Sequence, residues 1–255
     1  MRRAPLILVL LAACAAPRIA LFPSFAVGSS RTYRVHTDAT TVIDTGSTRT
    51  TSRTQLSATA KIEVVSVKDG KTTIRLTLEP QRYTKNGSPR TLDTSTAELI
   101  VDEVGAIVAV SKVGGLPADT SATSVEDLAP IFGAPLPEGV VHVGQAWTRA
   151  LGSATNSAGS GVQHGRVEAL RRVGGYDCAI LQLGTERPLS RRVSLEEQSI
   201  DLSGEEFSTA HMAFAYKRGF PVQIVTDAEA HFSIQTVASA GVTITSHTSL
   251  DLVNS

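Results

Sequence analysis

Apolar and polar residues alternate with a period of two along several stretches of the chain. Ile74, Leu76 and Leu78 alternate with Thr73, Arg75 and Thr77. Val222, Ile224, Thr226, Ala228, Ala230 and Phe232 alternate with Gln223, Asp227, Glu229 and His231. Near the end, Val242, Ile244, Leu250 and Leu252 alternate with Thr243, Thr245, His247, Ser249 and Asp251. Side chains of a strand point alternately to its two faces, so this pattern predicts strands with one buried face and one wet face. Pairs suited to tight turns separate them: Asp69-Gly70, Asn86-Gly87, Gly174-Gly175, Arg218-Gly219 and Ala240-Gly241. The pattern therefore predicts a mainly β protein with antiparallel sheets.

The halves resemble each other. Ile62-Glu63, Gly70, Leu76 and Leu78 match Val167-Glu168, Gly175, Leu181 and Leu183 at one constant spacing. Ser95-Thr96-Ala97 matches Ser208-Thr209-Ala210, and Gly105 matches Gly219 one residue out of step. Repeats of this kind predict two similar tandem units, residues 31–112 and 144–255. Neither buries enough apolar surface alone, so the two are expected to share one core in a half-barrel or curved sheet. In the linker, residues 113–143, Thr123 and Glu126 have the spacing of a capping box. Val125, Leu128 and Phe132 then share a helical face, and Pro130 ends the turn early. One short helix is expected there.

The start of the chain reads as an export signal. Met1-Arg2-Arg3 precedes the apolar run Leu6–Ala13, too short for a permanent membrane helix. The run ends in Leu11-Ala12-Ala13-Cys14, which resembles the lipobox of bacterial lipoproteins. That resemblance implies a signal peptide over 1–13, a lipidated Cys14 and a tether over 14–30. It also implies a membrane partner through a lipid anchor and an extracytoplasmic place in the cell envelope, the outer membrane or periplasm in a Gram-negative host. Two or more acyl chains anchor a protein firmly where one does so only marginally. An ordinary secretory signal cut near Ser24-Phe25-Ala26 is the alternative. The segment Leu136-Pro137-Glu138-Gly139, then Val141, Gly144 and Trp147, resembles one found in an uncharacterised family of bacterial envelope lipoproteins. In layout the chain also resembles, more weakly, the half-barrel lipid carriers of bacterial envelopes.

Charge narrows the list of partners. Without Arg2 and Arg3, the 24 basic residues fall to 22 against 24 acidic ones. A balance this close to neutral gives no reason to expect nucleic acid. The partner expected is an apolar ligand such as a lipid, or a protein or glycan held by a scaffold.

Three features could carry chemistry. Val42-Ile43-Asp44-Thr45-Gly46-Ser47 resembles the catalytic loop of aspartic peptidases, where two carboxylates share one proton. The internal match maps Asp44 onto Arg149, with no acid among Ala150, Leu151 and Gly152, which leaves only a homodimeric aspartic peptidase as the enzyme alternative. The expected reading is plainer, a hairpin tip at or near a non-catalytic Asp44, with the polar run Thr48–Gln55 as a loop matched to the Gly152–Gly161 loop of the second half. His231 and His247 would oppose each other across a hairpin centred at Ser239, with Glu205 across from His231, giving a candidate metal row. The bland reading is a solvated outer face. Cys178, in Tyr176-Asp177-Cys178-Ala179-Ile180-Leu181, reads as a buried, inert thiol. No cofactor is called for, and a non-catalytic role is expected.

Overall fold

The computed structural model describes residues 17–79, 81–114, 135–151, 161–195, 198–234 and 240–254. Its strands are β1 Arg18–Ala20, β2 Ser30–Asp44, β3 Arg49–Lys68, β4 Lys71–Leu78 and β5 Gln81–Lys85. They continue as β6 Ser88–Leu92, β7 Ser95–Val101, β8 Ile107–Gly114, β9 Val140–His142 and β10 Ala146–Leu151. The last are β11 Gly161–Val173, β12 Tyr176–Leu195, β13 Gln198–Ala215, β14 Phe220–Ile234 and β15 Gly241–Asn254. None of the described residues is helical. The helix expected over 123–132 lies outside the described residues.

Thirteen strands make one antiparallel sheet, with the path β10-β11-β12-β13-β14-β15-β2-β3-β4-β7-β8 and the hairpin β5–β6 branching from β3. The path has two ends, so no barrel closes. The second half of the chain joins the first where β15 pairs with β2, Leu250 opposite Val35.

Alternation decides which face is buried. On β4, Thr72, Ile74, Leu76 and Leu78 are buried, while Thr73, Arg75 and Thr77 are half-buried on the other face. One core cluster runs along the whole sheet, from Leu99, Leu76 and Val35 through Leu250, Ile224 and Met212 to Leu181 and Val167. Full burial of each such side chain contributes about 1.5–3 kcal/mol. The polar run 48–55 is a correction to the expected loop. From Arg49 onward it is strand, paired with β2 from Asp44 opposite Arg49 to Asp38 opposite Gln55. Its backbone bonds come from a partner strand, and Thr and Ser suit a pleated surface whether or not they are apolar.

The turns after β3, β7, β11 and β13 lie at one end of this antiparallel meander, and a small plug crosses that end. β1 and β9 pair as a separate ribbon, Ala20 opposite Val140. Ser24 N donates to Gly219 O at 2.8 Å, Gly28 N to Val64 O at 2.9 Å, and Gly144 N to Val167 O at 2.7 Å. Leu136 joins the two ends of the sheet path. Its N donates to Val104 O, just before β8, at 3.1 Å, and its O accepts from Arg149 Nη1 of β10 at 2.8 Å. Gly219 must be glycine: its φ is 75°, and a Cβ would collide with the backbone of Phe22 and Ser24. The Leu-Pro…Gly…Trp segment thus has a structural use, since Leu136 staples the seam and Trp147 lies against Gly165, where any side chain would meet the indole.

The hairpins at Gly70 and Gly175 are each followed inward by a bulge, at Val64/Ser66 and at Val167/Ala169. Those at Gly105 and Gly219 are likewise bulged, passing over Val108 and Val222.

Candidate functional site

Side chains that alternate with the core residues point to the opposite face of the sheet, and on the long strands they line a wide concavity. One cross-strand row begins with His164, opposite Gly184, which lies opposite Thr209 and then Asp227. The row continues from Asp227 to His247, Asp38, Gln55 and Thr84. Eight strands about 4.8 Å apart make this row on the order of 34 Å long. A second row, two residues further from the plug, runs Glu186, Phe207, Glu229, Thr245, Thr40 and Arg53. Together they border a concavity of about 1160 Å³.

Its polar groups are tied in cross-strand pairs. His247 Nδ1 is 2.7 Å from Asp227 Oδ1, and Gln55 Nε2 donates to Asp38 Oδ1 at 2.6 Å. Asp38 also meets His36 Nε2 at 2.9 Å. Asn86 Oδ1 accepts from Arg53 N at 2.8 Å, fixing the rim. Among the lining residues, Asp38, Glu186, Asp227 and Glu229 outnumber the single guanidinium of Arg53, so the surface is acidic. Phe207 is 44 % exposed and lies directly between Glu186 and Glu229. An exposed ring flanked by two carboxylates presents an apolar platform rimmed by hydrogen-bond acceptors.

The opposite face carries the core. A gap of about 50 Å³ lies among Phe25, Tyr33, Ile74, Met212 and Phe214 beside the plug. Tyr33 OH donates to Pro221 O at 2.9 Å, and burial pushes its phenol above its ordinary range. Further from the plug, Arg187 forms two bonds to Glu206, 3.1 and 2.8 Å long, with both side chains largely buried. Beyond them lies a second apolar cluster of Leu189, Ala230, Phe232 and Val242. The pair escaped sequence reasoning because Arg187 and Glu206 become neighbours only through the β12–β13 register.

The candidate metal row is only half assembled. Glu205 does stand opposite His231. His231, however, faces Thr243, and His247 faces Asp227, so the two histidines are not opposed. The hairpin centres two residues earlier than Ser239, which shifts the pairing by four positions while keeping the face. His231 instead meets Glu229 at 3.1 Å, and among the described residues no group of three metal-ligating side chains converges.

Asp44 ends β2 at the hairpin tip, where its Oδ1 accepts from Gly46 N at 2.9 Å and Thr45 N donates to Thr48 O at 3.0 Å. Cys178 is fully buried, and burial pushes its thiol up. Cys14 lies outside the described residues.

No family model matches the chain, and no curated protein matches it. Among solved structures it is similar to lipovitellin, at 13 % identity and a TM-score of 0.50, over 91 % of this chain. The likeness is one of fold. The chain spans about a quarter of that protein, 26 % of its length. DynF of Micromonospora chersina (7 % identity, TM-score 0.28, covering 98 % of this chain and 92 % of that one) superposes too poorly to bear on the fold. So does an outer membrane lipoprotein-sorting protein domain of Vibrio parahaemolyticus (7 %, 0.17, covering 87 % and 83 %).

Proposed function

We propose that this chain is a non-catalytic envelope lipoprotein, anchored through Cys14, that holds a neutral, polyhydroxylated glycan strand along the concavity of its polar face. The observation that carries this reading is Phe207, exposed between Glu186 and Glu229 in the six-strand row that runs beside the eight-strand one along an acidic concavity. The flat apolar face of a sugar ring stacks on such an aromatic, while its hydroxyls donate to the flanking carboxylates. A long, shallow site suits a chain rather than a compact small molecule, and its acidity disfavours phosphate-bearing ligands.

A lipid held on the core face is the second reading. It is favoured by the apolar cluster beneath the plug and by the likeness in fold to a structure described for its lipid–protein interactions. We read the body as two tandem units, 31–112 and 144–255. In support, the bulge residues Val108 and Val222 are spaced as Gly105 and Gly219 are.

Calorimetric titration of the protein with N-acetylglucosamine oligomers tests the glycan reading. Binding should be measurable, and Phe207→Ala should weaken it about tenfold, the equivalent of about 1.4 kcal/mol. No binding to these oligomers, together with stoichiometric lipid in native mass spectra of the extracted protein, would move the ligand to the core face.

A further inference from the structure

Large apolar side chains stand exposed at ten places among the described residues, and their distribution is uneven. Phe22, Val27, Val140 and Val143 lie on the plug segments, exposed by 52, 64, 59 and 38 %. Three more, Val67, Val108 and Val253, lie on strand ends beside the plug, leaving only Ile43, Val162 and Phe207 elsewhere. A cluster of this kind on one end of a molecule needs a covering partner.

The chain itself limits what that partner can be. Cys14 stands four residues before Arg18, where β1 begins. Four residues reach at most about 14 Å when fully extended. Acyl chains on Cys14 would therefore hold the plug against the surface of the bilayer that contains them.

We propose that the plug end docks on the phospholipid bilayer, with Phe22, Val27, Val140 and Val143 entering its interfacial region beside the acylated Cys14. This rests on the reading of Cys14 as the anchor. An apolar tip here has a basic rim, because exposed Arg18, Arg171, Arg172 and Arg218, with Lys68, Lys71 and Lys217, outnumber the exposed acids Asp69, Glu103, Glu138 and Asp177. Anionic headgroups therefore add to the apolar contact. Docked this way, the molecule stands end-on. The Asp44 hairpin points away from the membrane, and the concavity beyond the core opens to the aqueous side.

The test uses protein extracted from the membranes of an expressing bacterium and reconstituted in phosphatidylcholine vesicles with brominated acyl chains. A fluorescent thiol probe is placed at Val140→Cys, or at Thr45→Cys at the far end. Cys178 does not compete for the label, being buried with its thiol pushed up. The probe at 140 should lose about half its emission, since interfacial apolar groups sit about 5–10 Å into the headgroup boundary. The probe at 45 should keep its emission, and adding Phe22→Asp to Val140→Cys should restore much of the lost signal. Replacing part of the lipid with phosphatidylglycerol should deepen the quenching at 140 and leave 45 unchanged. Intact mass of the same samples reports acylation. Protein lacking acyl mass at Cys14 overturns the anchor reading and this proposal with it. Acylated protein quenched equally at 140 and 45 overturns the docking alone.

Discussion

Tyr33 shows how one residue ties the plug end to the core. Its ring is buried in the main cluster, and its hydroxyl donates to Pro221 O, on β14. Tyr33→Phe keeps the ring and removes that bond, a loss of about 1 kcal/mol at neutral pH. Burial also makes the folded phenol hold its proton to higher pH than the unfolded one, whose value is 10.0. The stability it contributes is thus complete below about pH 10 and lost as pH rises above it. Denaturant unfolding of wild type and Tyr33→Phe should therefore converge above pH 10, and parallel curves would contradict this. Burial of Cys178 was legible in its apolar run, because a strand buried on both faces reads as continuous apolar sequence. The use of Asp44 as a turn acceptor was legible only in part. Asp-Thr-Gly suits a hairpin and a catalytic loop equally, and only the β2–β3 register shows the hairpin.

At the scale of elements, period-two alternation located β4, β14 and β15, since a half-buried strand must alternate. Registers were harder, because they depend on turn centres. The two-residue error at the β14–β15 hairpin was enough to pair His231 with the wrong partner. β3 was missed over its first turn-proximal residues, where Thr and Ser replace apolar side chains. The Arg187–Glu206 pair makes the element-scale prediction. Arg187→Met leaves the Glu206 carboxylate buried without its partner and should destabilise the fold by about 3–5 kcal/mol. Arg187→Met combined with Glu206→Leu should recover most of that loss. Equal destabilisation in the single and double variants, read by urea midpoints, would show that the pair acts otherwise.

At the scale of the molecule, mainly β character and antiparallel pairing were legible from turn spacing and alternation. The plug was not. It joins β1 to β9 and ties residues 24–28 and 136–144 to the main sheet through backbone hydrogen bonds, which leave no mark on side-chain pattern. The concavity was equally hidden, because its residues come from strands far apart in sequence and look like an ordinary wet face. The central claim is that ligand binds on this polar face and leaves the core face alone. Amide NMR of the deuterated protein, titrated with N-acetylglucosamine oligomers, tests it most directly. The account predicts shifts concentrated at Phe207, Thr209, Asp227, His247 and Asp38, with Met212, Ile224 and Leu250 unmoved. Shifts centred on those three core residues, or none along the row, would contradict it.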